Sequence, residues 1–104
     1  MNMFAGTYKR KIDSKGRVSI PAEFRHLFNE TIVYLASLDK KKTEIITSEQ
    51  IHSLIKEESI KKTDLAKYQP TQIDAEGRIV LTNIKNQECR FLGCYDRFII
   101  EFGL

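Results

Sequence analysis

Two short polar segments carry the side chains best suited to chemistry, and they are nearly identical. Residues 12–17 read Ile-Asp-Ser-Lys-Gly-Arg, and residues 73–78, sixty-one positions later, read Ile-Asp-Ala-Glu-Gly-Arg. A guanidinium held on a rigid strand is suited to bind a phosphate or the edge of a guanine base through paired hydrogen bonds. The repeat therefore predicts two copies of one arginine-bearing turn.

The other residues of the repeat suit a tight turn. Gly16 and Gly77 supply the positive φ that such a turn needs, and Asp13 and Asp74 can accept hydrogen bonds from turn amides. A purely structural explanation is that each Asp pairs with the Arg of its own turn. The two explanations are compatible, because Asp13 can hold Arg17 in position.

Positive charge is concentrated around the first copy. The chain has a net charge of +3, but residues 1–25 hold six basic and two acidic side chains, a net of +4, which leaves −1 for the rest. The six basic residues are Lys9, Arg10, Lys11, Lys15, Arg17 and Arg25. This distribution favours a surface that faces a polyanion. A solvated basic strand is the alternative.

The first copy reads as strand, turn, strand, helix, strand, turn, strand. Val18 and Ile20 alternate with polar residues, as in a half-buried strand. Pro21 suits a first helical position, and Phe24, Leu27 and Phe28 follow with the spacing of one helical face. The apolar alternating segment TIVYLASLD and the segment EIIT predict two further strands.

The second copy repeats this plan after a helical connector. Thr47 begins a capping box that predicts a helix, and the lysine- and glutamate-rich stretch after it continues as helix or loop. Thr82–Gln87 is predicted as a short helix capped by Thr82. CRFLGCY and RFIIEF then read as two strands joined near Asp96.

These elements predict a mainly β fold with short helices, of the α+β class, made by tandem duplication of one module. We assign a first module to residues 1–50, the connector to residues 51–69 and a shorter second module to residues 70–104.

Composition and motifs argue against several other classes. No apolar run approaches the roughly 18 residues that a membrane span needs, and no secretory signal is visible, so the cytoplasm is expected. Cys89 and Cys94 form no CxxC pair, and His26 and His52 are distant from both in sequence, so neither metal nor cofactor is expected. Motifs of nucleotide-binding and hydrolytic enzymes are absent, so no catalytic residue is assigned.

The residues also carry a resemblance. MFAGTYKRKIDSKGRVSIPAEFR, at positions 3–25, resembles the opening of MraZ, a bacterial family of transcriptional regulators with two AbrB-like modules in one chain. Asp13 with Arg17, and Asp74 with Arg78, match the Asp-x-x-x-Arg motif of that family. The resemblance implies a swapped-hairpin β-barrel of the AbrB/MazE type, built from two pseudo-symmetric tandem halves.

It also implies a function and partners. Such a protein binds double-stranded DNA at repeated promoter boxes upstream of the division and cell-wall gene cluster, as a ring-like, octamer-like homo-oligomer in the cytoplasm and nucleoid. It has no membrane partner and no small-molecule substrate. The DNA contacts carried over from the resemblance are Arg17 and Arg78, supported by Lys15 and Lys11, with Lys9 and Arg10 as alternates on opposite faces of one strand.

The two copies are not expected to contribute equally. The second departs from the family pattern at Leu-Thr-Asn-Ile-Lys-Asn, residues 81–86, and residues 73–86 hold two basic and two acidic side chains. The first copy is therefore expected to contribute more to DNA affinity.

Two other binding classes remain as alternatives. An AbrB- or antitoxin-type protein would serve mainly to bind a protein partner, usually through a disordered tail, whereas RFIIEFGL reads as a strand. An RNA-binding protein would need exposed stacking aromatic residues. Tyr8, Tyr34, Phe91 and Phe98 lie in strand patterns and are expected to pack in the core.

Overall fold

The computed structural model describes residues 3–22, 25 and 31–103. Within these residues the fold is mainly β, with one α-helix, α1 (Ser48–Lys56), and one 3₁₀ helix (Lys62–Lys67). The strands are β1 (Thr7–Ile12), β2 (Arg17–Ser19), β3 (Ile32–Asp39), β4 (Lys42–Ile46), β5 (Gln69–Gln72), β6 (Arg78–Val80), β7 (Gln87–Gly93) and β8 (Phe98–Phe102). This confirms the predicted mainly β class with short helices.

The strands form two antiparallel sheets of unequal size. Six strands lie in the order β1-β7-β8-β4-β3-β5, and β2 pairs with β6 in a separate two-stranded sheet, which we call the ribbon. Pro70 lies in β5, at an edge of the large sheet. Proline is tolerated at an edge because it has no backbone N–H to donate to a neighbouring strand.

The strands on either side of each turn pair between the two sequence copies, whereas β3 pairs with β4 and β7 with β8 within a copy. The strand before the first turn, β1, pairs with β7 of the second copy, and the corresponding β5 pairs with β3 of the first copy. The two strands that follow the turns, β2 and β6, pair with each other. Each turn therefore connects two strands that both pair with strands of the other copy.

The core lies between the ribbon and the large sheet. Fully buried side chains come from both sheets and both copies, and they include Ile12, Val18, Ile20, Val33, Ile45, Ile79, Phe91, Phe98 and Ile100. Phe91 and Phe98 meet edge to face, with ring centroids 5.5 Å apart, a favourable geometry for aromatic pairs. Their burial confirms the expectation that these two aromatic residues pack in the core.

The helical predictions have mixed outcomes. Helix α1 begins as predicted, since Thr47 Oγ1 accepts a hydrogen bond from Gln50 N at 3.2 Å. The helix predicted at Thr82–Gln87 is wrong: Asn83 and Asn86 have φ of 65° and 56°, which a right-handed helix cannot contain. The helix predicted around Phe24, Leu27 and Phe28 lies outside the described residues.

A buried carboxylate ties the connector to the sheet. Glu44 on β4 accepts hydrogen bonds from Arg97 Nη1 at 2.7 Å and from the Tyr68 hydroxyl at 2.9 Å. Arg97 also donates Nε and Nη2 to the Asp96 carboxylate. Burial, together with the bond to Glu44, raises the pKa of Tyr68 to about 12, so the hydroxyl remains a donor throughout the neutral range.

The position of the ribbon over the core gives a stability prediction. Ile79→Ala should lower the free energy of unfolding by about 2–5 kcal/mol, because its side chain is fully buried. Val80→Ala, on the same strand but half exposed, should change it by less than about 0.5 kcal/mol. Urea unfolding at equal protein concentration measures both. Equal losses of unfolding free energy for the two variants would contradict the packing of the ribbon on the core.

Candidate nucleic-acid interface

The first turn, residues 13–17, is organised around the Asp13 carboxylate. Its Oδ1 accepts the backbone N–H groups of Lys15 and Arg17 at 2.9 and 2.8 Å, and its Oδ2 accepts Arg17 Nε at 2.7 Å. Gly16 N donates to the Asp13 carbonyl at 3.1 Å, and Gly16 has a φ of 78°. One carboxylate therefore fixes both the turn and the direction of the guanidinium.

The second turn, residues 74–78, repeats this network. Asp74 Oδ1 accepts the backbone N–H groups of Glu76 and Arg78 at 2.9 Å each, and Oδ2 accepts Arg78 Nε at 3.0 Å. Gly77 N donates to the Asp74 carbonyl at 3.0 Å, and Gly77 has a φ of 77°. The sequence repeat is thus a repeat of geometry.

The carboxylates are strongly stabilised in their ionised form. The backbone N–H of Arg17 is the largest cause that lowers the pKa of Asp13, to about 2, and the Arg17 side chain and the Lys15 N–H lower it further. The Arg78 backbone N–H likewise lowers the pKa of Asp74. The bond to Asp74 raises the pKa of Arg78, and the Asp13 carboxylate adds to this through space, which puts the two turns within electrostatic range.

The ribbon brings both arginines to one surface. Val18 and Ile79 face each other at its centre and are buried. Since successive strand residues point to opposite faces, their neighbours point outward. Those neighbours are Arg17 opposite Val80 and Ser19 opposite Arg78. The two arginines therefore occupy diagonal positions on one face, about 7–8 Å apart between Cα atoms.

Two reciprocal backbone bonds hold the turns beside each other. Ile20 N donates to the Gly77 carbonyl at 2.9 Å, and Leu81 N donates to the Gly16 carbonyl at 2.7 Å. A methyl group at Gly16 would lie 2.6 Å from the Leu81 carbonyl oxygen, which the packed backbone cannot accommodate. Glycine at this position is therefore required by the approach of the other copy as well as by the turn.

The two turns differ in charge at one equivalent position, which is Lys15 in the first and Glu76 in the second. Arg78 donates Nη2 to Glu76 at 3.3 Å in addition to its bond with Asp74. Within the described residues, Arg17 uses only Nε in a side-chain hydrogen bond. The Arg78 guanidinium therefore donates to two carboxylates, Asp74 and Glu76, whereas the Arg17 guanidinium donates to one, Asp13.

The remaining basic residues proposed for the site lie on β1. Lys9 and Lys11 are exposed on one face, opposite Arg90 and Glu88 of β7, respectively. Arg10 is half-buried, lies opposite buried Cys89, and donates Nη1 to the Lys9 carbonyl at 2.7 Å.

Sequence analysis missed two features of this surface. Val80 is 50% exposed on the outer face of the ribbon, an unusual position for a valine beside two arginines. Arg25, which the sequence predicts on a helix as a structural pair or a peripheral phosphate contact, lies across Gly77 of the second turn. The exposure of Val80 follows from the alternation along β6, since its neighbours Ile79 and Leu81 are buried. The Arg25 contact had no signal in the spacing of the two motifs, because it arises where one copy approaches the other.

Residues 3–22, 25 and 31–103 contain no group of three or more His, Cys, Asp or Glu side chains placed to hold a metal ion. Cys89 and Cys94 are free thiols, and burial raises the pKa of Cys89 to about 11. None of the helices in these ranges is long and apolar enough to span a bilayer.

Fold and site together define a mainly β protein with two equivalent Asp-x-x-Gly-Arg turns on one ribbon. Comparison with known proteins specifies the family. The family model described as "MraZ protein, putative antitoxin-like" matches residues 3–64. The "Transcriptional regulator MraZ" of Pelagibacter ubique (strain HTCC1062) is 34% identical over 95 residues, covering 77% of this chain and 61% of that relative. The chain belongs to the MraZ family, and it spans about 61% of the length of that curated relative.

The depressed carboxyl pKa values predict acid sensitivity of the turns. A carboxyl group whose pKa is about 2 in the folded chain and about 3.9 in the unfolded chain stabilises the fold above pH 4, and this stabilisation is lost as the pH falls toward 2. The melting temperature should therefore fall between pH 4 and pH 2, and Asp13→Asn should reduce that fall. An Asp13→Asn variant with the same fall as the wild type would contradict this assignment, and Asp74→Asn is the matched variant in the second turn.

Proposed function

We propose that this protein is a DNA-binding transcriptional regulator that contacts DNA through the outer face of the ribbon. The observation that carries the proposal is that Arg17 and Arg78, each aimed by an aspartate, share one exposed face of a two-stranded sheet. A two-stranded ribbon is one of the elements that fit the major groove of B-DNA. The Pelagibacter relative is named a transcriptional regulator, which supports the same class.

The geometry of the arginines suits base recognition. Each aspartate occupies Nε, and within the described residues the two Nη groups of Arg17 make no side-chain hydrogen bond, so they can bind guanine O6 and N7 together. The aspartates restrict rotation of the guanidinium groups, which lowers the entropy lost on binding. Ser19 can donate or accept a hydrogen bond, and Val80 offers an apolar surface to a thymine methyl group.

Phosphate contacts are assigned to the exposed lysines. Lys15, in the first turn, lies two residues from Arg17 and is exposed. Lys11 and Lys9 share a face of β1. Arg10 is the least suited of the named basic residues, because its side chain lies on the other face, toward Cys89. Sequence-independent affinity grows with the number of phosphates that such residues neutralise.

Assembly extends the same proposal. Exchange of strand partners between the copies supports a swapped-hairpin barrel built from two tandem halves. One chain offers few cationic contacts, so a ring-like, octamer-like homo-oligomer would gain affinity by making later contacts effectively intramolecular. Repeated boxes upstream of the division and cell-wall gene cluster, including its own operon, are the proposed target, reached in the cytoplasm at the nucleoid.

A protein-partner role is the second candidate, because the family description includes the term antitoxin-like. An antitoxin of this type would hold its partner with an extended tail. Phe98–Phe102 form β8, which is paired on both sides by β4 and β7. DNA binding is favoured over partner binding as the principal role because Arg17 and Arg78 share one face of the ribbon.

Fluorescence anisotropy tests the proposed function directly. The protein should bind a duplex carrying the repeats upstream of its own gene more tightly than a scrambled duplex, and binding to the scramble should weaken steeply with salt. Equal binding to both duplexes, or none, would contradict a sequence-specific regulator and favour the partner role.

The difference between the turns predicts unequal effects of removing each arginine. Arg17→Ala should weaken binding to the repeat duplex by about 5- to 150-fold, the range for loss of a good bidentate base contact. Arg78→Ala should cost less, because Glu76 already occupies part of its guanidinium. Anisotropy titrations measure both losses. Equal losses would mean that the two turns contact DNA equally.

Exchanging charge at the equivalent position tests the cause of that asymmetry. Glu76→Lys should raise affinity for both duplexes and steepen the dependence of log K on log salt by about 0.9, as one added phosphate contact would. Lys15→Glu should do the reverse. Salt titrations of the two variants provide the test, and unchanged slopes in both would remove these positions from the interface.

A further inference from the structure

A cleft opens beside the C-terminal end of β6, between the ribbon and strands β3, β4 and β5 of the large sheet. Its volume is about 350 Å³, within the range of about 300–1,000 Å³ that is typical of sites for small molecules. Six residues, 81–86, join β6 to β7 at this end, whereas twelve, 20–31, join β2 to β3. The second copy therefore has fewer residues with which to cover the space beside its ribbon strand.

Part of the lining of this cleft is apolar. Leu81 is buried, and Leu35 and Ile84 are half-buried and pack against the core. Val80 adds a side chain that is 50% exposed. An apolar group bound here would remove these side chains from water, which is favourable.

The rest of the lining offers hydrogen-bonding groups. They are the hydroxyl and amide groups of Ser37, Thr43, Gln69, Thr71 and Thr82. Over the part of the chain that the structure describes, the side chains of Thr43, Gln69 and Thr82 make no hydrogen bond to other protein groups. These three side chains can therefore donate hydrogen bonds to a ligand, or accept them from it.

Lys67 gives the cleft a positive charge. Its Nζ lies 3.8 Å from the Asp64 carboxylate, beyond hydrogen-bond distance, and its side chain is 75% exposed. Among the described residues that line the cleft, none carries a carboxylate. The charge of the lining therefore favours an anion over a cation.

We infer that this cleft binds a small organic anion, with an apolar body and one carboxylate or phosphate group, and that the bound anion weakens DNA binding. The effect on DNA rests on the proposed function. Val80 lines the cleft and also lies on the outer face of the ribbon, opposite Arg17. Its neighbour Leu81 donates its backbone N–H to the Gly16 carbonyl and so joins the two turns. A ligand packed on these two residues competes with DNA for the same strand, so each lowers the affinity of the other by the same factor.

Fluorescence titration with anilinonaphthalene sulfonate tests the cleft in the absence of DNA. This probe has an apolar aromatic body and one sulfonate, which stands in for the carboxylate or phosphate. Its fluorescence should rise to saturation at one probe per chain. Thr71→Phe, which places a ring in the cleft, should abolish saturable binding. Gln72→Phe is the matched control, because residue 72 points to the opposite face of β5 and is exposed, and it should leave binding unchanged.

A second pair of variants tests the charge. Lys67→Ala should weaken probe binding by about 2- to 5-fold, the upper range for an exposed ion pair. Lys62→Ala removes the same charge from the same 3₁₀ helix at a residue outside the cleft and should have no effect. Near-ultraviolet circular dichroism of each variant verifies that folding is retained, since this probe also binds partly folded states.

Three results of these titrations would overturn the inference. They are the absence of saturable binding to the wild type, binding that Thr71→Phe and Lys67→Ala leave unchanged, and a probe affinity that falls as protein concentration rises. The last result would assign the cleft to a second copy of the chain.

Anisotropy titrations with the repeat duplex test the effect on DNA. Saturating probe should weaken binding of the wild type by about 5-fold or more, and Thr71→Phe should remove this response to the probe. An unchanged DNA affinity when the cleft is occupied would refute the regulatory role. Failure of the wild type to prefer the repeat duplex would instead contradict the proposed function, and the fluorescence titrations would still decide whether the cleft binds an anion.

Discussion

The structure depends on a pair of reciprocal hydrogen bonds between its two halves, from Leu81 N to the Gly16 carbonyl and from Ile20 N to the Gly77 carbonyl. Each bond begins one residue beyond a ribbon strand and ends inside the turn of the other copy. A turn cannot move without moving its counterpart. Two sequence motifs sixty-one residues apart consequently behave as one surface element.

The rest of the fold supports this arrangement. Val18 and Ile79 attach the ribbon to the core, because their side chains are buried in it. Burial of apolar side chains supplies the main stabilisation. The Glu44, Arg97 and Tyr68 cluster fixes the connector against the large sheet, and every charged member of it has a partner. Replacing Arg97 would leave the buried Glu44 carboxylate without its ion-pair partner, which costs more than the pair contributes when intact.

Much of the local structure was predictable from sequence because its causes are local. Both turns follow from an Asp followed by a Gly and an Arg at fixed spacing, and α1 follows from the cap at Thr47 and its apolar stripe. The strand β5 carries no such signal, since Gln-Pro-Thr-Gln is polar and becomes a strand only by pairing with β3. The helix expected after Thr82 failed because Asn86 N is used by the Asp13 carbonyl of the other copy, at 3.0 Å.

The same distinction applies to the candidate site. The identity of Arg17 and Arg78 as its central residues was visible in the repeat. Their sharing of one face was not, because it depends on the antiparallel register of β2 and β6. The contact of Arg25 with Gly77 was likewise invisible, since nothing in either copy alone specifies which half of the chain covers the second turn.

Hydrogen exchange measured by mass spectrometry, with and without the repeat-containing duplex, tests most directly whether both turns form one DNA-binding surface. Peptides that span residues 13–20 and 74–81 should become protected together on adding DNA, while the exchange of α1 should not change. Protection at only one turn, or protection centred on α1, would contradict a single surface made from both copies.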